Sequence, residues 1–210
     1  DRFTWLEFRR VLFRSLLSAS LHGMLTNPST PWFSLKFKNI TADQDEDAAN
    51  EWLEDTTEKM YEVFNRSNFQ QEIFELYHDL ITFGTAAMFI EEDPDDIVRF
   101  STRHIGEVFI SENNKGRIDT IFRKFKISAR SVVAQFGANN VSSKVLSISN
   151  KSPFEDVEIL HVVYPRDTFD PKKKDAKNME YASVYIEVDS KELISESGFN
   201  EFPYVVPRYL

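Results

Sequence analysis

The segment from residue 69 to residue 92 constrains the fold of this chain more than any other stretch. Its first half carries apolar residues at helical spacing, which predicts one stripe along a helix: Phe69, Ile73, Leu76, Tyr77 and Leu80. Gly84 follows Phe83 at the end of the helix, where a left-handed residue is common and glycine adopts it at least cost. Ala86 to Ile90 is then a short apolar run with the length of a buried strand. We therefore expect a rigid core unit in which Phe83 and Gly84 are structural residues.

Two further helices are predicted before this unit. Residues 16–25 carry leucines at helical spacing, and the prolines that follow end that helix. Trp32 lies in an extended apolar segment, and residues 44–66 form a second helix whose apolar stripe includes Trp52. Ser67 and Asn68 are placed to cap the next helix.

Beyond residue 96 the spacing of apolar residues changes to two, which predicts strands. The predicted strands are 97–101, 108–111, 117–126, 157–164, 182–188 and 193–197, and the predicted short helices are 129–136 and 142–148. In the strand 182–188 we place the apolar residues on the buried face: Ala182, Val184, Ile186 and Val188. Gly198 separates the last strands from a terminal apolar segment that contains Pro203. Helices followed by antiparallel strands indicate an α+β class, helical over 16–84 and mainly β over 85–210.

The first fifteen residues differ in composition from the rest of the chain. Residues 11–15, Val-Leu-Phe-Arg-Ser, match the translated end of a common sequencing adapter, and residues 1–10 place arginines beside Phe and Trp. We interpret 1–15 as a non-native segment and exclude it from fold reasoning. A basic amphipathic helix on a membrane surface is the alternative interpretation. The chain also reads as a fragment cut at both ends.

Composition excludes several classes of protein. The net charge of −9 argues against a sequence-independent grip on DNA through a basic surface. The chain contains no cysteine, which excludes disulfides and thiolate chemistry. No apolar run approaches the ~18 residues of a membrane span.

The acidic cluster at residues 91–96 is the strongest candidate for chemistry. Its carboxylates could bind Ca²⁺ or Mg²⁺, but the order of residues is not that of a known calcium loop and Pro94 interrupts it. A solvated turn between two strands is the simpler interpretation. The alternatives stay open at this point.

No other constellation points to catalysis or to a cofactor. The four histidines have no metal-ligand spacing: His22, His78, His104 and His161. The chain has no nucleophile-elbow motif and no glycine-rich phosphate loop. Lys172 to Lys174 lie beside acidic residues in a polar loop, which favours an exposed segment over a phosphate site. Aromatic residues could stack on bases, but most fall on predicted core faces. We expect no catalytic, metal-binding or cofactor-binding residue.

Four stretches together resemble the head-to-tail connector, or portal, proteins of short-tailed bacteriophages. They are residues 16–35 with the Pro31-Trp32 pair, residues 72–92 with Phe83-Gly84, residues 99–107, and residues 198–208. The four stretches follow one another in the same order as in that family, over about residues 16–210. Their combination is specific, whereas no single motif is. Residues 1–15 have no counterpart in it.

The resemblance implies a structural subunit in a ring, usually of twelve copies, at one vertex of the capsid. Double-stranded DNA would be packaged through the ring by the terminase motor and would leave through it into the tail. Implied partners are capsid, scaffolding and tail adaptor proteins, with assembly in the host cytoplasm and a final place in the virion. The chain resembles the outer wing of the subunit, so the channel-lining stem and the clip would lie mostly beyond Leu210. An acidic surface suits a conduit, because cationic contacts to phosphate would hold the DNA.

Two other functions remain as alternatives. One is a metal-dependent hydrolase or nuclease that uses the carboxylates at 91–96, and the other is a monomeric interaction module.

Deletion of residues 1–15 should leave thermal stability unchanged or improved, because the predicted core begins at Leu16. Thermal unfolding of the shortened and complete chains measures this. A fall in melting temperature of several degrees, about 1 kcal/mol or more for a chain of this size, would show that these residues pack on the core.

Overall fold

The computed structural model describes residues 2–37, 46–170, 172–173 and 175–209. Within them the chain has five α-helices and two antiparallel sheets, which confirms the α+β class. It divides into two compact units. Unit 1 contains residues 1–104 and 204–210, and unit 2 contains residues 105–203, so unit 2 is an insertion between two segments of unit 1.

The helices are α1 (Arg2–Leu25), α2 (Glu46–Arg66), α3 (Phe69–Phe83), α4 (Ala129–Phe136) and α5 (Ser143–Lys151). The strands are β1 (Ala87–Asp93), β2 (Ile97–Arg103), β3 (Val108–Glu112), β4 (Ile118–Ser128), β5 (Asp156–Pro165), β6 (Tyr181–Glu187), β7 (Glu192–Phe199) and β8 (Tyr204–Val205). Short 3₁₀ turns lie at Ile105–Glu107 and Ala176–Asn178.

The first two helices end where the sequence predicts but differ at their starts. Helix α1 begins at Arg2 rather than at residue 16, and it ends at Leu25. Helix α2 spans Glu46–Arg66, and the predicted residues 44 and 45 lie outside the described part of the chain. Whether residues 1–15 belong to the native protein stays a prediction.

The extended segment at residues 31–37 is held by hydroxyl groups of α2 instead of by a neighbouring strand. The Tyr61 hydroxyl accepts hydrogen bonds from the main-chain N–H of Trp32 and of Phe33, each at 2.6 Å, and donates one to the Phe33 carbonyl. The Thr57 hydroxyl accepts from the N–H of Leu35. Side chains thus satisfy main-chain groups that a sheet would otherwise pair.

Aromatic stacking joins this segment to the core of unit 1. Trp32 stacks on Phe69 with ring centroids 5.8 Å apart and an interplanar angle of 8°, and it also contacts the rings of Tyr61 and Phe64. Buried residues from α3, β1 and β2 complete the cluster: Phe69, Leu76, Ala86, Met88 and Phe100. Trp32 packs against this cluster, and its structural role stays a prediction.

The stretch that organises the sequence folds as a helix, a glycine and a strand. Gly84 has φ 76° in the left-handed region, and its N–H donates to the Leu80 carbonyl. The apolar stripe of α3 buries Phe69, Leu76 and Tyr77, but Phe83 is 51% exposed because it lies beyond the buried face. Strand β1 also runs on through the acidic residues to Asp93 instead of stopping at residue 90.

The sheet of unit 1 has the order β2-β1-β8. Met88 pairs with Val205 and Phe89 with Tyr204, so the segment after unit 2 returns to lie beside β1. The pairing continues towards the glycine, because Ala86 N–H donates to the Pro207 carbonyl and Tyr209 N–H donates to the Gly84 carbonyl.

Unit 2 is a five-stranded sheet of order β3-β4-β5-β6-β7 with two helices on one face. The predicted hairpin at 108–126 and the predicted central strand at 157–164 are both confirmed. Ser128 caps α4 through its hydroxyl, and Gly137 follows the helix at φ 84°. The buried core of the unit lies between the helices and the sheet: Ala129, Val132, Val141, Val145, Val157, Ile159 and Ile194.

The predicted facing of β6 is wrong. Ser183 and Glu187 are buried, and Tyr185 packs on the core cluster beneath the helices, so these residues face the helices. Val184 and Ile186 therefore lie on the opposite face, since side chains alternate along a strand. Ser183 bonds His161, and one carboxylate oxygen of Glu187 bonds Ser142, which reduces the cost of burying these polar groups.

Gly198 lies inside β7, opposite Ala182 on β6. It therefore does not separate the last strands from the terminal apolar segment, contrary to the prediction. A Cβ atom at this position would come within 2.8 Å of the Tyr181 carbonyl oxygen and would meet the Ala176 carbonyl oxygen at closer range. The strand therefore needs glycine at 198 because main-chain atoms on two sides leave no room for a side chain.

Gly198→Ala should destabilise the protein by about 2 kcal/mol or more, because neither carbonyl can move without disturbing the sheet. Gly84→Ala should cost less, about 1–2 kcal/mol, since its left-handed φ is unfavourable but no atom lies within 4 Å of the added Cβ. Chemical denaturation of the two variants measures the difference.

Gly23→Ala provides the matched control for these substitutions. Gly23 lies in α1 with open space where the added methyl group would lie, so alanine should be neutral or stabilising by about 0.5–1 kcal/mol. If Gly198→Ala is as stable as Gly23→Ala, the close approach in β7 does not exist in solution.

Candidate interaction surfaces

The acidic residues at 91–96 lie at the end of β1 and in the turn that joins it to β2. The Asp93 carboxylate accepts hydrogen bonds from the main-chain N–H groups of Asp95 and Asp96, at 2.8 and 3.1 Å. The bonds from Asp96 and Asp95 lower the pKa of Asp93, because they stabilise the ionised carboxylate. Arg66 contacts the Asp95 carbonyl and the Asp96 carboxylate across the turn. These contacts are those of a local turn, in agreement with the simpler interpretation.

Metal ligands do not converge in the described part of the chain. No group of three or more His, Asp or Glu residues there is arranged to hold a metal ion. His22 lies against Phe74 and Tyr77, and His104 lies near Phe83, so each packs on an aromatic ring.

One serine–histidine pair has the contact of a nucleophile and its base, but solvent does not reach it. His161 Nε2 lies 2.9 Å from the Ser183 hydroxyl, and both residues are 2% exposed. The imidazole also stacks on Tyr185 with ring centroids 4.0 Å apart. Catalysis needs a cavity in which a substrate can reach the nucleophile, so this pair is an internal polar contact of the sheet.

A second buried polar contact joins β6 to the start of α5. The Glu187 carboxylate, 1% exposed, accepts a hydrogen bond from the Ser142 hydroxyl at 2.8 Å. The same hydroxyl accepts from Val145 N–H as the cap of α5. The carboxylate thus lies at the positive end of a helix, where negative charge is favourable.

The outer surface of unit 1 is strongly acidic along its second and third helices. Residues 46–83 contain ten acidic residues and two basic ones, Lys59 and Arg66. Trp52 lies on this surface and is 60% exposed, while its neighbour Leu53 is buried. The predicted inward position of Trp52 is therefore wrong: the buried stripe of α2 passes through Leu53 and Phe64, and Trp52 lies one position off it.

The pKa values of two carboxylates on α3 are raised. Burial is the main cause for Glu75, and the charges of Glu72 and Asp79 add to it. Burial also raises the pKa of Asp79, and His78 and His104 oppose that rise. The ionised forms of Glu75 and Asp79 are therefore slightly unfavourable at neutral pH.

The basic loop between β5 and β6 is exposed, as expected. Lys172 and Lys173 are exposed, and Lys174 lies outside the described residues. Arg166, at the start of the loop, binds the Glu196 carboxylate and the Ser197 carbonyl on β7. The described lysines face solvent and do not converge on a site.

Three strand edges are blocked at some of their main-chain groups by parts of the chain that are not strands. On β2, the Asn68 side chain bonds both the N–H and the carbonyl of Phe100, and the Glu72 carboxylate accepts from Thr102 N–H at 2.6 Å. Asn68 is the N-cap residue of α3, as predicted, but its side chain does not cap the helix. The Ser67 hydroxyl instead accepts a hydrogen bond from the N–H of Phe69. On β7, Arg166 covers the Ser197 carbonyl, and β8 lies between Pro203, which is buried, and Pro207. Such edges cannot easily recruit another strand.

Sequence reasoning missed the residues that organise these contacts. Tyr61, Asn68 and Glu187 act through main-chain or polar groups that are distant in the sequence, by 28 to 45 positions. Periodicity does not report such contacts. Glu187 shows how weak the sequence signal was. The alternation along β6 places this polar residue on the face opposite the apolar side chains, yet the structure buries it.

The chain matches a protein family described as bacteriophage head to tail connecting protein over residues 12–210. It is 38% identical to the portal protein of Salmonella phage epsilon15 over 197 residues, which cover 92% of this chain and 35% of that protein. It is 33% identical to the probable portal protein of Bordetella phage BPP-1 over 198 residues, with the same shares of the two chains. The chain thus spans about a third of the length of the curated relatives it matches.

Asp79→Asn should raise the free energy of unfolding at pH 7 by roughly 0.5 kcal/mol, a small gain because solvent screens a half-buried group. The folded state raises the pKa of Asp79, so the ionised form destabilises it above that pKa and the penalty disappears as the pH falls through it. The advantage of the variant should therefore shrink between pH 7 and about pH 4. Denaturant unfolding at several pH values checks this, and a constant difference would contradict it.

Proposed function

The chain belongs to the bacteriophage head to tail connecting protein family, and we propose on that premise that it is part of the structural subunit of a phage portal ring. The ring would occupy one vertex of the capsid, with DNA entering the head and leaving it through the central channel. The chain would supply the wing-like outer part of each subunit, and twelve copies would close the ring.

The observation that carries this proposal is the family match over residues 12–210, together with two relatives named as portal proteins. The match is continuous through both units, so it does not depend on one motif. Because the chain spans about a third of those relatives, the activity and partners of the whole protein belong to the proposal.

Two physical features support a structural role over an enzymatic one. The serine–histidine pair is closed to solvent, and the acidic hairpin directs Asp93 towards its own turn. The main polar contacts described above hold segments and strand edges in place, as in Tyr61 and Asn68. None of these contacts presents a reactive group to a substrate.

Partners follow from the proposed place in the virion. They are other copies of the chain, capsid and scaffolding proteins, the terminase motor and tail adaptor proteins, with assembly in the host cytoplasm. DNA would pass through the ring without sequence-specific contacts. The acidic helices of unit 1 would not bind its phosphates. None of the helices in the described residues is long and apolar enough to span a membrane.

The metal-dependent hydrolase or nuclease at residues 91–96 is not favoured. Its carboxylates lie on a hairpin turn, and the described residues hold no metal-binding group of three. We also keep the proposal that residues 1–15 are a non-native segment and that residues 16–210 form the wing-like region. The family match begins at residue 12 and so includes the last four residues of the proposed non-native segment.

Negative-stain microscopy and native mass measurement of the complete polypeptide that contains this chain should show closed rings. A polypeptide that stays monomeric at every concentration would contradict the portal proposal.

Calorimetric titration with Mg²⁺, Mn²⁺ and Ca²⁺ should show no binding heat, because Asp93 bonds its own turn, Asp96 contacts Arg66, and no metal-holding group of three occurs in the described residues. Substitution of Asp93, Asp95 and Asp96 together by Asn is the matched variant. A nuclease or hydrolase activity that this triple variant loses would favour the enzymatic alternative.

A further inference from the structure

One face of the unit 2 sheet carries apolar residues that the helices do not cover. Phe109 on β3 lies directly opposite Phe122 on β4. The row continues to Val162 on β5, which is buried, and to Val184 on β6, which is half-buried, so its exposed part is the pair of phenylalanines. Cross-strand partners share a face, and α4 and α5 pack on the other face through Ile159 and its neighbours. Phe109 is 61% exposed and Phe122 is 39% exposed.

Lysines border these two rings. Lys124 and Lys126 follow Phe122 at alternate positions of β4, on the same face, and both are exposed. Lys124 contacts the Glu158 carboxylate at 2.9 Å, and no ion pair of Lys126 occurs within the described residues. We call Phe109, Phe122, Lys124 and Lys126 the sheet patch.

The sheet patch lies beside an open strand edge. In the part of the chain that the structure describes, the main chain of residues 108–111 forms hydrogen bonds only within the β3–β4 ladder. The β2, β7 and β8 edges are blocked by side chains, by Arg166 or by prolines, as described above. An open edge beside exposed aromatic rings is a site at which another chain can dock.

A complementary surface exists on α2. Glu51, Asp55 and Glu62 lie on one side of the helix, with Trp52 next to them, and all four are exposed. Lys59 lies on the same side and pairs with Asp55, which leaves the carboxylates of Glu51 and Glu62 to give this side its negative charge. Trp52 is 60% exposed. We call Glu51, Trp52, Asp55 and Glu62 the α2 patch. It has the same construction as the sheet patch, an aromatic anchor bordered by charges, but the sign of its charge is opposite.

We propose that the sheet patch of one copy binds the α2 patch of a second copy. Aromatic anchors meet at the centre of the contact, and lysines face carboxylates around them, an arrangement typical of protein interfaces. The contact joins two different surfaces of the same chain, so it repeats from copy to copy and closes into a ring when the rotation permits. The inference rests on the proposed portal function, to which it adds the surfaces that join neighbouring copies.

Zero-length cross-linking tests the contact directly. The complete polypeptide is assembled from a mixture of isotopically heavy and light copies and treated with a carbodiimide, which joins a lysine amine to a carboxylate in contact with it. Mass spectrometry should find mixed heavy–light peptides that link Lys124 or Lys126 to Glu51, Asp55 or Glu62. Lys172, an exposed lysine elsewhere, should not be linked to those carboxylates.

Substitutions test the energetic role of the patches. Phe109→Thr and Trp52→Gln should each raise the concentration needed for half-assembly about tenfold, because truncating an interface anchor has an effect of that order. Phe154→Ser, at a residue 77% exposed on another loop, is the control and should have no effect. Lys126→Glu should weaken assembly, Glu51→Lys in the same chain should restore it, and Lys172→Glu should assemble normally.

The outcomes separate this proposal from the portal function. Closed rings in which the patch variants assemble like wild type and no mixed cross-links form would overturn the contact and leave the portal function intact. Cross-links from the sheet patch to another surface would overturn it in the same way. Absence of any closed assembly in the wild type would overturn both. Circular dichroism of each variant confirms that a loss of assembly is not a loss of folding.

Discussion

The architecture depends on main-chain pairing between the segment after unit 2 and the segment that follows Gly84. Tyr209 N–H donates to the Gly84 carbonyl at 2.8 Å, and Ala86 N–H donates to the Pro207 carbonyl at 3.2 Å. Phe89 and Tyr204 add a ring contact at 4.9 Å. Because unit 2 intervenes between the two segments, these bonds close a long loop, and the entropy of that closure has to be offset by the buried pairing. The glycine contributes twice, since its left-handed φ ends α3 and its carbonyl accepts a bond from the returning strand.

Elements with strong periodicity could be predicted from the sequence. The stripe of α3, the hairpin of β3 and β4, the cap of α4 and the central position of β5 all follow from local patterns, and the structure confirms them. The facing of β6 could not be predicted, because Ser183 and Glu187 are buried only when His161 and Ser142 provide partners. The role of Gly198 could not be predicted for a related reason. The sequence shows a small residue, but the carbonyls that exclude a side chain belong to Ala176 in a 3₁₀ turn and to Tyr181 at the start of β6, about twenty positions away.

The candidate surfaces were less predictable than the fold. The acidic cluster was visible in the sequence, and its interpretation as a turn agrees with the bonds around Asp93. The apolar pattern of α2 predicted Trp52 on the buried stripe, but the stripe passes through the next residue, Leu53. In a helix of polar composition the edge of the apolar stripe is not sharply defined. The resemblance over 16–210 predicted the family, which no reactive group could have done. A structural protein acts through extended surfaces, and a surface has no short motif.

The blocked strand edges would have a further consequence in the proposed ring. Neighbouring copies would be held there at a high effective concentration, so unintended encounters would be far more frequent than in dilute solution. Every open edge is then a template for wrong pairing between chains. Most of these edges are engaged within each copy. Asn68 bonds β2, Arg166 bonds β7, and prolines flank β8, so a neighbouring copy would find few free main-chain groups there. Fewer main-chain groups would then be available for wrong pairing between copies. The exposed side chains would specify the correct contact.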